Sequence, residues 1–246
     1  MEYFTEINGL PIQADYTQKN IEKIFFPLLQ HLTELQRRKG SRILVMLAAP
    51  PGAGKSTLSE FLSSLSQKTP GIHPLTTVGM DGFHHRQDYL LTHTTIRHGN
   101  TIPMVKIKGA PITFDLKKLE SAIKKISSGI DCGWPQYSRP LHNPVENAIQ
   151  VTGDIILLEG NYLLLDQDGW RTLHKYADYS IRITADPTML RDRLIKRHVD
   201  SGKSCSDAES FVDYSDMPNV RLCLEHSMRA DLNLQILADG SYTQLL

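Results

Sequence analysis

Uninterrupted apolar runs alternate with helically spaced apolar positions along most of this chain. Ile43-Leu44-Val45-Met46-Leu47 is the first such run, and four more follow at Leu75–Val78, Ile155–Leu158, Tyr179–Ile183 and Leu232–Ile236. Short runs without polar interruption read as strands covered on both faces. Between most of them the period lengthens, and Leu116–Ile126, Pro187–Val199 and Asn219–Arg229 read as helices. Ahead of the first run, Ile21, Ile24, Phe25, Leu28, Leu29, Leu32 and Leu35 mark a helix over 18–39. Pro27 is expected to break or kink it, and Arg37-Arg38-Lys39-Gly40 is expected to end it. This alternation predicts an α/β fold, a mostly parallel sheet with helices on both faces. Ligands in such folds bind beyond the carboxyl ends of the strands, so the residues just after each run matter most.

Two stretches interrupt the alternation. Residues 82–114 and 132–150 are rich in Gly, Pro, His and aromatics, and neither reads as a regular element throughout. Long excursions of this kind are functional loops or small subdomains more often than filler. The segment from about 190 to 217 becomes polar after Lys196 and reads as a small helical, mobile lid. With no repeat and no low-complexity tract, 246 residues suit one domain spanning 1–246 that carries these insertions.

Composition narrows the partners. A hydrophobic content of 40% supplies a core, and a formal net charge of +0 gives no bulk electrostatic case for nucleic acid or an acidic membrane surface. No apolar run approaches the roughly 20 residues of a membrane span. The opening MEYFTEINGL is acidic and polar, unlike a secretory signal. Cys132, Cys205 and Cys223 are odd in number and lack metal-ligand spacing, which suits reduced thiols in the cytoplasm.

The chemistry begins where the first run ends. Ile43–Leu47 leads into Ala48-Ala49-Pro50-Pro51-Gly52-Ala53-Gly54-Lys55-Ser56-Thr57, and helical spacing resumes at Leu58, Phe61, Leu62 and Leu65. Strand, Gly-rich turn and helix in this order form a phosphate-binding loop. Backbone amides between Pro51 and Thr57 converge on a polyphosphate at a helix N-terminus. Lys55 is placed to reach the β- and γ-phosphates, and the Ser56 hydroxyl to bind Mg²⁺. Ala49 stands where the motif G-x-x-x-x-G-K-[ST] begins with Gly; that position closes the strand, and Ala is tolerated there at negative φ. The chain is therefore expected to bind a nucleoside triphosphate.

Two strand ends carry acids. Gly79-Met80-Asp81-Gly82 follows the second run, and Asp81 is either a turn residue or a carboxylate that accepts a proton from a hydroxyl. Glu159 follows Ile155–Leu158 directly and is read as a contact to Mg²⁺ or the nucleotide, with a structural hydrogen bond as the other reading. Arg193 and Arg197, four residues apart, share a helix face that is either a solvated surface or a phosphate clamp on a lid. His84, His85, His93 and His98 match no zinc spacing, and suit acceptor binding or polar loop packing. Arg86, Arg97, His98, Lys106 and Lys108 make the first excursion neutral to basic, which points to an acceptor bearing negative charge.

Together, GAGKST, MDGFH, LLEGNY and the ADP-x-x-L-R-x-R-L entry to the lid resemble the superfamily of phosphoribulokinase, uridine kinase and bacterial pantothenate kinase. KGAPITFD, WPQYSRPLHNPV and Asp216-x-Pro218-Asn219 resemble most a subgroup labelled nucleoside/nucleotide kinase family, which includes enterobacterial proteins and kinases associated with fructose transport. The resemblance covers nearly the whole chain. It implies ATP-dependent phosphorylation of a small-molecule alcohol, such as a sugar, nucleoside or pantothenate-like compound, with Mg²⁺. It assigns Lys55 and Ser56 to the phosphate loop, Asp81 as base, Glu159 as strand-end carboxylate, and Arg193 and Arg197 to the lid. Tyr137, Arg139 and His142 fall where related kinases contact the acceptor, beside His84 and Arg86. The rival readings are an NTP-hydrolysing switch or assembly factor with no acceptor, and a nucleotide-binding regulator without catalysis. A homodimer stays open.

Overall fold

The computed structural model describes residues 1–7 and 10–245. The chain opens with an antiparallel hairpin, β1 (Glu2–Ile7) and β2 (Leu10–Asp15). Its inner face reaches the core through Tyr3, whose ring meets Phe61 edge-on at 5.3 Å. Helical backbone then runs from Gln18 to Lys39 as α1 (Gln18–Asn20), a π-helical turn (Ile21–Phe25) and α2 (Phe26–Lys39). Pro27 does not break it. The wide turn lies immediately upstream, and Pro27 sits in the first turn of α2, where its missing N–H has no helical partner to lose. Gly40 ends α2 in a left-handed conformation, as its position predicts.

The central sheet has six strands. β3 (Ile43–Ala48), β4 (Leu75–Gly79), β9 (Ile155–Gly160), β10 (Tyr179–Ala185), β11 (Leu232–Ile236) and β12 (Tyr242–Leu245) lie in the order β12-β11-β10-β3-β9-β4. All neighbours are parallel except β11 and β12. β3 explains its own apolar run. Ile43, Val45 and Leu47 enter one core with Phe25, Leu29, Leu58 and Phe61, while Leu44, Met46 and Ala48 enter the other with Leu119, Ile123, Trp134 and Tyr162. A strand buried on both faces has no position free for a polar side chain. Helices α2 and α3 (Lys55–Lys68) cover the first face, and α5 (Leu116–Ser127) the second.

Both excursions are more regular than their composition suggests. Residues 82–114 contain α4 (Gln87–Thr92), a small hairpin of β5 (Thr94–Arg97) and β6 (Asn100–Pro103), and short 3₁₀ turns. Residues 132–150 lie within a hairpin, β7 (Cys132–Ser138) and β8 (Asn143–Val151). Its register shifts between Trp134 and Gln136, which lets Pro135 sit in the strand without a ladder N–H. The outer positions of β8 are polar or small and exposed, so no apolar run announces it.

Past β10, α6 (Pro187–Asp200) and α7 (Cys205–Phe211) form an antiparallel pair. A π-helical turn (Val212–Asp216) then leads into α8 (Met217–His226). The polar stretch after Lys196 is therefore mostly helical. The helix predicted at 219–229 starts and stops earlier, because Ser227 turns to extended backbone. Among the described residues, no helix is long and apolar enough to cross a membrane.

Candidate active site

The phosphate loop leaves the central strand, β3, and enters α3. Gly52 takes φ +83° and Gly54 takes φ +76°, a region that L side chains rarely occupy. A Cβ on Gly52 would also lie 3.2 Å from the Leu190 carbonyl of α6. Ala49 is buried and keeps negative φ, so the missing first glycine leaves the loop intact. The N–H groups of Lys55, Ser56 and Thr57 precede the first bond inside α3, from Leu58 N–H to Gly54 O at 3.0 Å. These are the donors that a helix start offers to an anion.

Glu159 meets this helix from the next strand. Its Oε1 accepts a hydrogen bond from Ser56 Oγ at 2.8 Å, and its Oε2 lies 3.8 Å from Lys55 Nζ. Burial at the strand end raises the Glu159 pKa; the Lys55 ammonium opposes the rise and the Asp81 carboxylate adds to it. A cavity of about 110 Å³ opens here, with Ser56, Glu60, Thr77, Asp81, Tyr137 and Glu159 in its walls. Its hard oxygen donors suit Mg²⁺. Glu60, which accepts from Thr77 Oγ1 at 2.5 Å, was not singled out from the sequence. Its spacing of four from Ser56 on one helix was the available signal.

Asp81 occupies the 3₁₀ turn Met80–Phe83 just past β4. The hairpin β7–β8 presses on this turn: a Cβ on Gly82 would fall 2.0 Å from Pro135 O, and Trp134 Nε1 donates to Gly79 O at 2.8 Å. Asp81's charge acts on Glu159, His84, Tyr137, Tyr162 and Arg197, so it stands at the centre of the cleft. The His84 ring packs 3.9 Å from the Phe114 ring and 5.3 Å from Tyr137. Desolvation lowers its pKa, with Asp81 opposing. Its Nδ1 lies 2.9 Å from the Asp81 carbonyl, which can only accept; Nδ1 therefore carries the hydrogen and Nε2 is an acceptor.

The lid arginines part company. Arg197 faces Asp81 and Arg139, and lies 4.0 Å from the buried carboxylate of Asp216, which His198 Nε2 meets at 2.8 Å. Burial lowers the Arg197 pKa and Asp216 opposes it. Arg193 is next to the Tyr242 phenol. The β5–β6 hairpin reaches the lid as well: Arg97 Nη2 donates to Tyr214 O at 2.5 Å and its guanidinium stands 4.4 Å from the Tyr214 ring centre.

On the acceptor side, Tyr137 lines the Asp81 cavity and Arg139 adjoins Tyr137 and Arg197. Two expected contacts lie elsewhere. Arg86 is mostly exposed, 3.8 Å from Asp88, and lines a second cavity of about 590 Å³ with His85, Tyr89 and His93. His142 sits exposed at φ +50° in the hairpin turn and brings its carbonyl, which accepts from Lys108 Nζ at 3.0 Å. Tyr162, not singled out earlier, is buried and donates to Gly109 O at 2.6 Å. Among the described residues, no group of three or more His, Cys, Asp or Glu side chains forms a metal cluster.

The profile of the phosphoribulokinase/uridine kinase family matches residues 44–242. The protein YggC of Escherichia coli K12 is 41% identical over 237 residues, covering 96% of each chain. A pantothenate kinase of Sodalis glossinidius is 26% identical over 234 residues, covering 85% of this chain and 71% of its own. A crystal structure from Silicibacter sp. TM1040, provisionally named a fructose transport system kinase, superposes with a TM-score of 0.74 at 31% identity. That likeness covers 85% of this chain and 98% of the other.

Proposed function

Because the chain belongs to the phosphoribulokinase/uridine kinase family of P-loop kinases, we propose that it transfers the γ-phosphoryl group of ATP to a hydroxyl of a small molecule. One observation carries this reading. The phosphate-loop Ser56, the strand-end Glu159 and the carboxylate of Asp81 line a single cavity, with Tyr137 of the acceptor hairpin closing it. A phosphate site and a candidate proton acceptor share one opening, as an in-line transfer requires.

Each residue then has a role. Amides from Pro51 to Thr57 cradle the polyphosphate, and Lys55 neutralises charge on the group in transit. Ser56 and Glu159 hold Mg²⁺, which when bound offsets charge on the phosphate oxygens. Asp81 orients the acceptor hydroxyl and takes its proton. Arg197 adds positive charge from the lid, and Arg193 extends the same helix face toward the nucleotide. His84, Tyr137 and Arg139 contact the acceptor. In this reading a single domain supplies both substrate sites.

An NTP-hydrolysing switch would need the phosphate loop but no second opening. The cleft between the β7–β8 hairpin and the lid supports a kinase instead. A coupled ADP-release screen over sugars, nucleosides and pantothenate analogues tests the reading. ADP release should be slow with MgATP alone and rise at least tenfold with a true acceptor; release that ignores every acceptor supports the switch.

A further inference from the structure

We propose that the phosphoryl acceptor carries an anionic group, a carboxylate or a phosphate monoester, and that Lys108 receives it. The inference rests on reading the Asp81 cleft as a kinase acceptor site, and supplies the substrate class that reading leaves open.

Lys108 is partly buried between the 3₁₀ turns Met104–Ile107 and Pro111–Thr113. Its ammonium donates to Gln87 Oε1 at 2.7 Å and to the His142 carbonyl at 3.0 Å, and lies 4.8 Å from the centre of the Tyr137 ring. All three neighbours are neutral. Among the described residues, Lys108 takes part in no ion pair, whereas Lys39, Lys55, Lys118, Lys175 and Lys196 each meet a carboxylate. A cation withdrawn from water without a counter-charge costs free energy. Burial accordingly lowers the Lys108 pKa. Three elements fix this ammonium in place, yet two acceptors leave one of its three N–H donors unused. A ligand anion would complete the arrangement, and the fixed position reduces the ordering cost of binding it.

The direction follows from the shared rings. Tyr137 carries Lys108 over its face and also lines the cavity that contains Asp81. The His84 ring feels both Lys108 and Asp81. An anion at Lys108 and a hydroxyl at Asp81 are thus about one aromatic ring apart, the span of a short polyol chain. His84 Nε2 faces the same space as an acceptor for a further hydroxyl. Arg139, more exposed than Lys108, adds a second cation on the Tyr137 side. Lys108 is the primary anchor because it is already positioned, while Arg139 must be ordered on binding.

The test uses the full chain with its nucleotide site filled by Mg²⁺ and a non-hydrolysable ATP analogue, so that phosphate probes cannot occupy the phosphate loop. Glycerol 3-phosphate and gluconate are titrated calorimetrically against glycerol and sorbitol. At least one anion should bind ten times more tightly than its neutral counterpart, as expected for one charge-assisted contact. The anion that does so separates a phosphate from a carboxylate acceptor. Lys108→Met should remove that preference, and Lys108→Arg should keep most of it. The comparison on the natural protein needs no variant, so poor folding of Lys108→Met leaves the test standing. Equal binding of anionic and neutral probes, or a preference that survives in folded Lys108→Met, overturns the assignment. Loss of analogue binding in the natural protein would overturn the kinase reading and this inference together; analogue binding without anion preference overturns this inference alone.

Discussion

Glu159 Oε1 is held by Ser56 at 2.8 Å while Oε2 faces Lys55 at 3.8 Å, so three phosphate-handling residues constrain one another before any ligand arrives. This pre-ordering lets Lys55 act on charge as it develops, at little cost in reorganisation. Lys55→Ala should abolish turnover and leave the fold intact, because the loop is built mainly from backbone; circular dichroism and ADP release on the same sample check both halves. Asp81 has a different task. Asp81→Asn should keep MgATP affinity and lower kcat by about 10²–10⁴, the range for a positioned proton acceptor. Loss of affinity with little change in kcat would make Asp81 a nucleotide or metal ligand. Both acids were legible in the sequence because each directly follows an apolar run, and strand ends in parallel sheets collect ligands. Lys108 appeared only as one basic residue among several. Its lack of a carboxylate partner depends on Gln87, Tyr137 and His142, which the sequence separates widely.

At the scale of elements, the hairpin β7–β8 and the lid define the cleft. Gly82 permits the hairpin's approach, since a Cβ there would fall 2.0 Å from Pro135 O, and backbone cannot yield cheaply. Gly82→Ala should destabilise the protein by about 1–3 kcal/mol, as overpacking does, and should also lower kcat by shifting Asp81 relative to Tyr137. Chemical denaturation and steady-state kinetics on one variant measure the two effects; unchanged values in both would detach the hairpin from the site. On the lid, Arg197→Ala should reduce kcat more than it raises the ATP KM, because Arg197 stands beside Asp81. The parallel strands and their helices were readable from period alone. The three hairpins were not. Their outward residues are polar, and Pro135 interrupts the ladder that would have marked a strand.

For the molecule as a whole, net charge is +0, so bulk electrostatics say little about stability and individual groups dominate. His84 and His85 both have pKa values lowered from 6.5, chiefly by desolvation. The unfolded chain therefore binds more protons than the folded one near these values. The stability they contribute is fully present above about pH 6.5 and is lost as pH falls through their folded values. The denaturant midpoint should accordingly drop on acidification below pH 6.5, and His84→Gln should flatten that slope; an unaltered slope would show that His84 is not desolvated. The two buried cores, divided by β3, account for the fold that this chain shares with the Silicibacter structure. The acceptor does not follow from that shared framework, since it is read by loops and hairpins that the framework only supports.

The most direct measurement follows the transferred phosphorus. Phosphorus NMR of a reaction containing MgATP and the acceptor panel should show a new phosphomonoester appearing mole for mole with ADP, in the natural protein and not in Lys55→Ala. ADP accompanied only by inorganic phosphate, at a rate no acceptor changes, would contradict the kinase account and leave a nucleotide hydrolase in its place.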